Sequence, residues 1–170
     1  MPTIRIAQSK DTAHLAAIGL RSWAGAVAGL ADVDAMRRKA EDAFVYFLRD
    51  HAPAVTVAER DGVPVGWAAR EKYDGSISDL WVDPAFQRQG VGTALVAALE
   101  ADMLAAGIPS ADILTHAQNA PAIAFFQRRG YRIHWLSTQY SARLDRDVES
   151  VGMIRDLVEP GADGTGYGSV

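Results

Sequence analysis

Cysteine is absent from this chain of 170 residues. That absence excludes a disulfide framework, a thiolate metal site and a cysteine nucleophile. No long run of one charge is present either. The 17 Lys and Arg residues are scattered among 21 Asp and Glu, and the net charge is −4. A broad nucleic-acid surface is therefore not expected, although a local anion site is compatible with this balance. No apolar stretch approaches the roughly 20 residues of a membrane span, and "MPTIRIAQSKD" lacks the apolar core of a secretion signal. The expectation is a cytoplasmic protein with no metal and no nucleic-acid or membrane partner. What is present is 49% hydrophobic and 22% charged residues, which fits one domain with a full core.

The patterning predicts an α+β chain in the order β-α-α-β-β-β-α-β-α-β-β around a mixed sheet. Ile4 and Ile6 alternate as in a short strand, and Ser9 is placed to cap a helix carrying Leu15, Ile18 and Ser22 on one side. A second helix reads from Met36, Ala40, Phe44, Phe47 and Leu48, stopped at Ala52-Pro53. "AVTVAER" and "VPVGWAAREKY" flank Asp61-Gly62, a strong hairpin turn. "SISDLWV" reads as one further strand, followed by a helix with Val91, Leu95, Leu99 and Met103 stacked at i, i+4. Gly107 and Pro109 end that helix in the usual C-terminal order. Then come a strand "ADILTHA", a helix "NAPAIAFFQRR" closed by Gly130, a strand "YRIHWLSTQYSARL" and a last strand "ESVGMIRDLV". The domain is expected over residues 1–158. The glycine-rich tail 159–170 carries little to bury and is expected to be mobile.

One segment breaks the ordinary logic of helix starts. "QRQGVG" (87–92) stands where Ser, Thr, Asp or Asn would cap better, and glycine weakens a helix by roughly 1 kcal/mol relative to alanine. The first turn of a helix offers unpaired N–H groups and partial positive charge, and glycines let phosphate oxygens approach that backbone. Arg88 adds a cation and Thr93 a hydroxyl. A tight strand-to-helix turn without a ligand would use the same glycines. Spacing removes two phosphate motifs. No Lys follows Gly92 as a P-loop requires, and Leu95 stands where a dinucleotide fingerprint needs its third glycine.

The spacing that remains, Gln87-x-x-Gly90-x-Gly92, resembles the coenzyme A-binding signature of the GNAT N-acetyltransferase superfamily. Its surroundings, "DLWVDPAFQRQGVGTALV", resemble the family's strand, turn, cradle and helix, and "NAPAIAFFQRRGY" resembles the downstream family segment with its paired aromatic positions. The resemblance implies a mixed, splayed sheet whose gap receives pantetheine. It implies that Leu80, Trp81 and Val82 offer backbone groups to it. Arg88, Gln89, Gly90, Val91, Gly92 and Thr93 would then hold the pyrophosphate, with Gln87, Asn119 and Phe126 also against the coenzyme. Asn119 is at the same time a sufficient cap for its own helix.

Carried over, the reaction is acetyl transfer from acetyl-CoA directly to a primary amine of a small molecule or peptide, with the Val82 N–H donating to the thioester carbonyl. Two family positions differ here. Phe126 replaces a tyrosine that serves as general acid in many members, and Ser76 holds the place of a common glutamate. Proton transfer is then left to Asp79, His116 or Tyr140, or to water. An alternative follows from the same substitution: a catalytically weak acyl-CoA sensor or interaction module. Trp23, Tyr46 and Phe47 are core residues or acceptor-pocket residues, and residues 28–34 form a candidate lid. A homodimer through a late exposed strand is a further expectation.

Overall fold

The computed structural model describes residues 1–28, 32–142 and 145–158. The candidate lid lies partly, and the tail 159–170 wholly, outside the described residues. Among the described residues eight strands and four α-helices form: β1 (Thr3–Ile6), α1 (Thr12–Ala26), α2 (Val33–Asp50), β2 (Val55–Arg60), β3 (Val63–Ala69), β4 (Ser76–Ile77), β5 (Asp79–Val82), α3 (Val91–Ala105), β6 (Ser110–His116), α4 (Ala120–Arg128), β7 (Arg132–Ser141) and β8 (Arg146–Asp156). The order matches the sequence reading with one difference. The single strand expected over "SISDLWV" is two, broken at Ser78.

That break organises the molecule. β4 pairs in parallel with β6, Ser76 opposite Asp112 and Ile77 opposite Ile113. β5 instead pairs antiparallel with β3, Asp79 opposite Ala69 through Val82 opposite Gly66. The splayed sheet therefore resolves into two four-stranded sheets, β1-β2-β3-β5 and β4-β6-β8-β7, that part company at Ser78. Ser78 holds the fork, its N–H and hydroxyl both donating to the Ala69 carbonyl (2.9 and 3.1 Å).

Alternation along the strands divides the core. Val55, Val57, Trp67 and Ala69 face α1 and α2, where Leu15, Ile18, Trp23, Ala40, Phe44 and Leu48 close one cluster. The Trp67 indole donates to the Leu15 carbonyl (2.9 Å), satisfying its one polar atom inside that cluster. On the other face Val91, Leu95, Leu99 and Met103 of α3 are buried at i, i+4 spacing. They pack with Ile77, Ala111, Ile113, Val151 and Met153, so this second cluster spans the fork. β7 is the edge of its sheet and leaves Ile133, Trp135 and Leu136 exposed.

Ser9 does not cap α1. A 3-10 turn (Ser9–Asp11) precedes the helix, and the Asp11 carboxylate accepts the Gln8 N–H (2.7 Å) instead. Arg5 of β1 holds that carboxylate through both Nη1 and Nη2 (2.7 and 2.9 Å), a fixed acceptor that a serine hydroxyl cannot match. Arg5 keeps the Asp11 carboxyl below the usual value of 3.8. A lowered folded pKa gives stability that is present above the unfolded value and lost as pH falls below it. Asp11→Asn is therefore expected to destabilise the protein by about 1–2 kcal/mol at pH 7. The difference from wild type should shrink in urea melts taken below pH 4. A difference that persists unchanged in acid would show that Asp11 acts only through its shape.

Candidate active site

Beyond the fork, β5 and β6 stand apart as the two walls of a gap. Asp83 N–H donates to the Val65 carbonyl (2.9 Å), which makes residues 65 and 83 a hydrogen-bonded pair of the β3–β5 ladder. In an antiparallel ladder bonded and non-bonded pairs alternate, so Leu80 and Val82 turn their N–H and C=O away from β3 into the gap. Trp81 turns its backbone toward Trp67 of β3. Of the three residues expected to offer backbone groups, two have the orientation for it and Trp81 does not. Its side chain packs edge-on to Phe44 at 5.0 Å, on the α1–α2 side.

The gap leads to the turn between β5 and α3. Asp83 accepts from Ala85 N–H (3.1 Å) and from Arg21 of α1 (2.7 Å), fixing a 3-10 turn at Pro84–Phe86. The Gln87 amide reaches back to the Val82 carbonyl (3.4 Å). Arg88 and Gly90 then both take left-handed backbone conformations, φ 62° and φ 82°. Alternating left-handed residues form a concave nest of N–H groups suited to an anion. α2 and α4 begin at Asp32 and Asn119, whose side chains accept from their own first turns, whereas α3 begins at Gly90 with no side-chain acceptor. The two glycines differ in what they permit. A Cβ at Gly90 would meet open space, so conformation requires glycine there. A Cβ at Gly92 would lie 3.4 Å from the Phe125 ring, so α4 approaches the cradle closely at that point. Val91 is 1% exposed, and only its backbone is available to a ligand. Gln87, Arg88, Gln89 and Thr93 are exposed around it.

The remaining candidates are spread unequally. Continuing the β4–β6 register would set His116 opposite Leu80, so His116, half-buried at the end of β6, stands on the far wall of the gap. Asn119 follows in the same turn. Its N–H donates to the His116 carbonyl (3.0 Å), its carboxamide oxygen accepts from Ala122 N–H (3.3 Å), and it caps α4. Asp79 is 5% exposed at the inner end of the gap, and its carboxylate accepts the Trp81 indole N–H (3.0 Å). Phe126 is 2% exposed, edge-on to both Phe125 and Tyr131 at 5.0 Å.

Tyr140 is not brought to this group. It lies on β7, separated from β6 by β8, and its hydroxyl donates to Asp145 (2.5 Å), which also pairs with Lys39 of α2 (2.9 Å). The bond to Asp145 raises the Tyr140 pKa. Two arginines at the cradle, Arg21 and Arg60, carry no mark in the sequence, because their partners Asp83 and Gln89 lie 62 and 29 residues away. Among the described residues no three His, Cys, Asp or Glu side chains gather into a metal site, and no helix is long and apolar enough to cross a membrane.

A fork between two sheets, backbone groups facing the gap and an uncapped glycine turn at its end are the frame of an acyl-coenzyme A transferase fold. The family model described as "Acetyltransferase (GNAT) family" matches residues 21–131, and the chain belongs to that family. A mycothiol acetyltransferase of Clavibacter michiganensis is 35% identical over 94 residues, 54% of this chain. The match spans only 30% of that relative. A GCN5-related N-acetyltransferase structure from Rhodopseudomonas palustris aligns with a TM-score of 0.76 at 26% identity, covering 92% of this chain and 96% of that one. The PaiA N-acetyltransferase of Thermoplasma acidophilum, solved in complex with coenzyme A, shares the fold with a TM-score of 0.70. Identity there is 17%, over 92% of this chain and 99% of that one.

Proposed function

We propose that this chain is an N-acetyltransferase that moves the acetyl group of acetyl-CoA directly to a primary amine in a ternary complex. The observation that carries this is the pairing of a gap lined by the outward backbone of Leu80 and Val82 with an uncapped α3 start at its end. Residues present in both places fit the coenzyme: a strand edge for an amide-bearing chain, and a nest for its phosphates. When bound, acetyl-CoA supplies the acyl group as an activated thioester.

The protein's share is placement and charge. The Val82 N–H turns into the gap and would donate to the thioester carbonyl oxygen, favouring negative charge on it. The amine must arrive neutral, attack the carbonyl carbon and lose a proton, while the C–S bond breaks and the thiolate gains one. His116 ends β6, the strand that β4 pairs with before the fork, and is the group we assign to take up the amine's proton. Asp79, buried at the inner end, holds the Trp81 indole and through it the acceptor-side wall. No protein nucleophile is required. The acceptor is a small or peptidic primary amine, and the chain's net −4 favours cationic ones. Release of free coenzyme thiol from acetyl-CoA, screened over small-molecule amines and peptide N-termini, tests the reading. No release with any amine would refute it.

Phe126 gives the sensor alternative its footing, because no phenol stands at that position. A thiol of ordinary pKa near ~8.5 leaves tolerably well without an acid, so wild type is expected to turn over. Phe126 is 2% exposed in the core cluster with Phe125 and Tyr131, so Phe126→Tyr is expected to bury a hydroxyl at a cost of about 1–3 kcal/mol, with no gain in kcat and unchanged coenzyme affinity. Urea melts, steady-state kinetics and coenzyme titration read these in turn. Turnover in the variant alone, with coenzyme binding in both proteins, would favour the sensor.

A further inference from the structure

Arg60 is the last residue of β2 and pairs with Val63 across the Asp61-Gly62 turn. That turn projects beyond the end of β5, whose last residue, Val82, pairs with Gly66 further inside β3. Arg60 thereby comes beside the cradle, and its Nη1 donates to the side-chain oxygen of Gln89. Gln89 stands between Arg88 and Gly90, the two left-handed residues of the nest.

The partner is a neutral amide, so it orients the guanidinium without neutralising it. Of the neighbouring carboxylates, Asp61 lies in the exposed turn beside Arg60 and the other two are engaged elsewhere. Glu59 accepts from Arg5 Nε (2.5 Å), and Asp83 accepts from Arg21 (2.7 Å) and Ala85 N–H (3.1 Å). Residues 84–94 contain no Asp or Glu. On a chain of net −4, Arg60, Arg88 and the uncapped start of α3, set against the single nearby carboxylate of Asp61, make a locally net-positive region.

We propose that Arg60 is a phosphate-binding residue of the coenzyme site, with Gln89 positioning it. The inference rests on the acetyl-CoA reading and extends it to a residue outside the glycine turn. A guanidinium has five N–H donors, and with one given to Gln89 the others can fork onto phosphate oxygens. The pyrophosphate and the 3′-phosphate of coenzyme A offer the same chemistry, and the experiment separates them.

Dissociation constants are measured for coenzyme A and 3′-dephospho-coenzyme A with wild type, Arg60→Gln and Arg60→Lys, from low salt to about 0.5 M. Arg60→Gln is expected to weaken coenzyme A by about 10-fold or more at low salt, with the gap narrowing as salt screens it. Arg60→Lys should recover part of the loss, since it keeps charge without the fork. The same loss with the dephospho form assigns the contact to the pyrophosphate; its disappearance assigns it to the 3′-phosphate. Either result supports the proposal. An Arg60→Gln protein within twofold of wild type, or a loss unmoved by salt, overturns it while leaving the acetyl-CoA reading intact. Absence of binding by wild type itself would overturn both.

Discussion

Gly90→Val is expected to lose coenzyme binding by at least about 100-fold, the largest functional effect of any single change in the cradle. Two mechanisms act at once. Gly90 has φ 82°, where a β-branched residue is strained by roughly 1–2 kcal/mol, so valine would pull the backbone out of the left-handed conformation. Leaving it reorients the N–H groups of the nest and removes the site. The space beside Gly90 is open, so no packed neighbour resists the new side chain, and the fold should survive with a modest loss of stability. Gly90→Asn separates the mechanisms, because asparagine tolerates this conformation and should keep most of the binding. Coenzyme titration of both variants, with urea melts to confirm folding, gives the comparison. A folded valine variant that binds as wild type does would remove the cradle from the coenzyme site.

The cradle was legible in the sequence because its chemistry is local. Positive φ at Asp61, Gly62, Gly90, Gly107 and Gly130 falls on Asp or Gly, whereas Tyr73 and Arg88 take it with no such mark, and the α3 stripe from Val91 to Met103 is buried as its spacing implies. What the sequence hid depends on distant partners. The break at Ser78 follows from β4 choosing β6 while β5 chooses β3, and nothing within "SISDLWV" records those choices. Ser9 opens a 3-10 turn instead of capping α1, a turn closed by the Gln8 N–H on the Asp11 carboxylate that Arg5, on another element, holds. Trp81 differs from Leu80 and Val82 only by the parity of the β3 ladder. Tyr140 is remote from the gap because β8 enters the sheet between β6 and β7, an order that no local pattern specifies.

Glu100→Leu is expected to cost about 3 kcal/mol of stability, a substantial part of the ~5–15 kcal/mol typical of a domain. Glu100 lies on the buried side of an otherwise apolar helix face, 6% exposed. Its carboxylate accepts from Arg129 Nη2 (2.6 Å), from the Tyr131 hydroxyl (2.9 Å) and from Arg155 Nη1 (2.9 Å). One acid thus joins α3, the end of α4 and β8. Removing it leaves a buried phenol and two guanidinium groups without their acceptor, and removing one partner of a buried pair costs more than the pair contributes. The Arg155 side chain is 36% exposed and can turn to water, which holds the effect toward the lower end of the range. The melting temperature should fall by roughly 6–12 °C. Phe125 of α4 rests against Gly92, so a loosened α4 should also weaken coenzyme binding. Arg129→Met and Tyr131→Phe added to Glu100→Leu should restore part of the stability, since the orphaned groups go with the acid. Tyr131 supplies a second signature. Burial, and then the charge of Glu100, raise its pKa above the ordinary value of 10.0. A raised folded pKa gives stability that is present below the unfolded value and lost as pH rises through the folded one. Tyr131→Phe should therefore lack part of the stability loss that wild type shows above about pH 10. A Glu100→Leu protein within about 1 kcal/mol of wild type would mean that α4 is held by the apolar cluster around Phe126 alone.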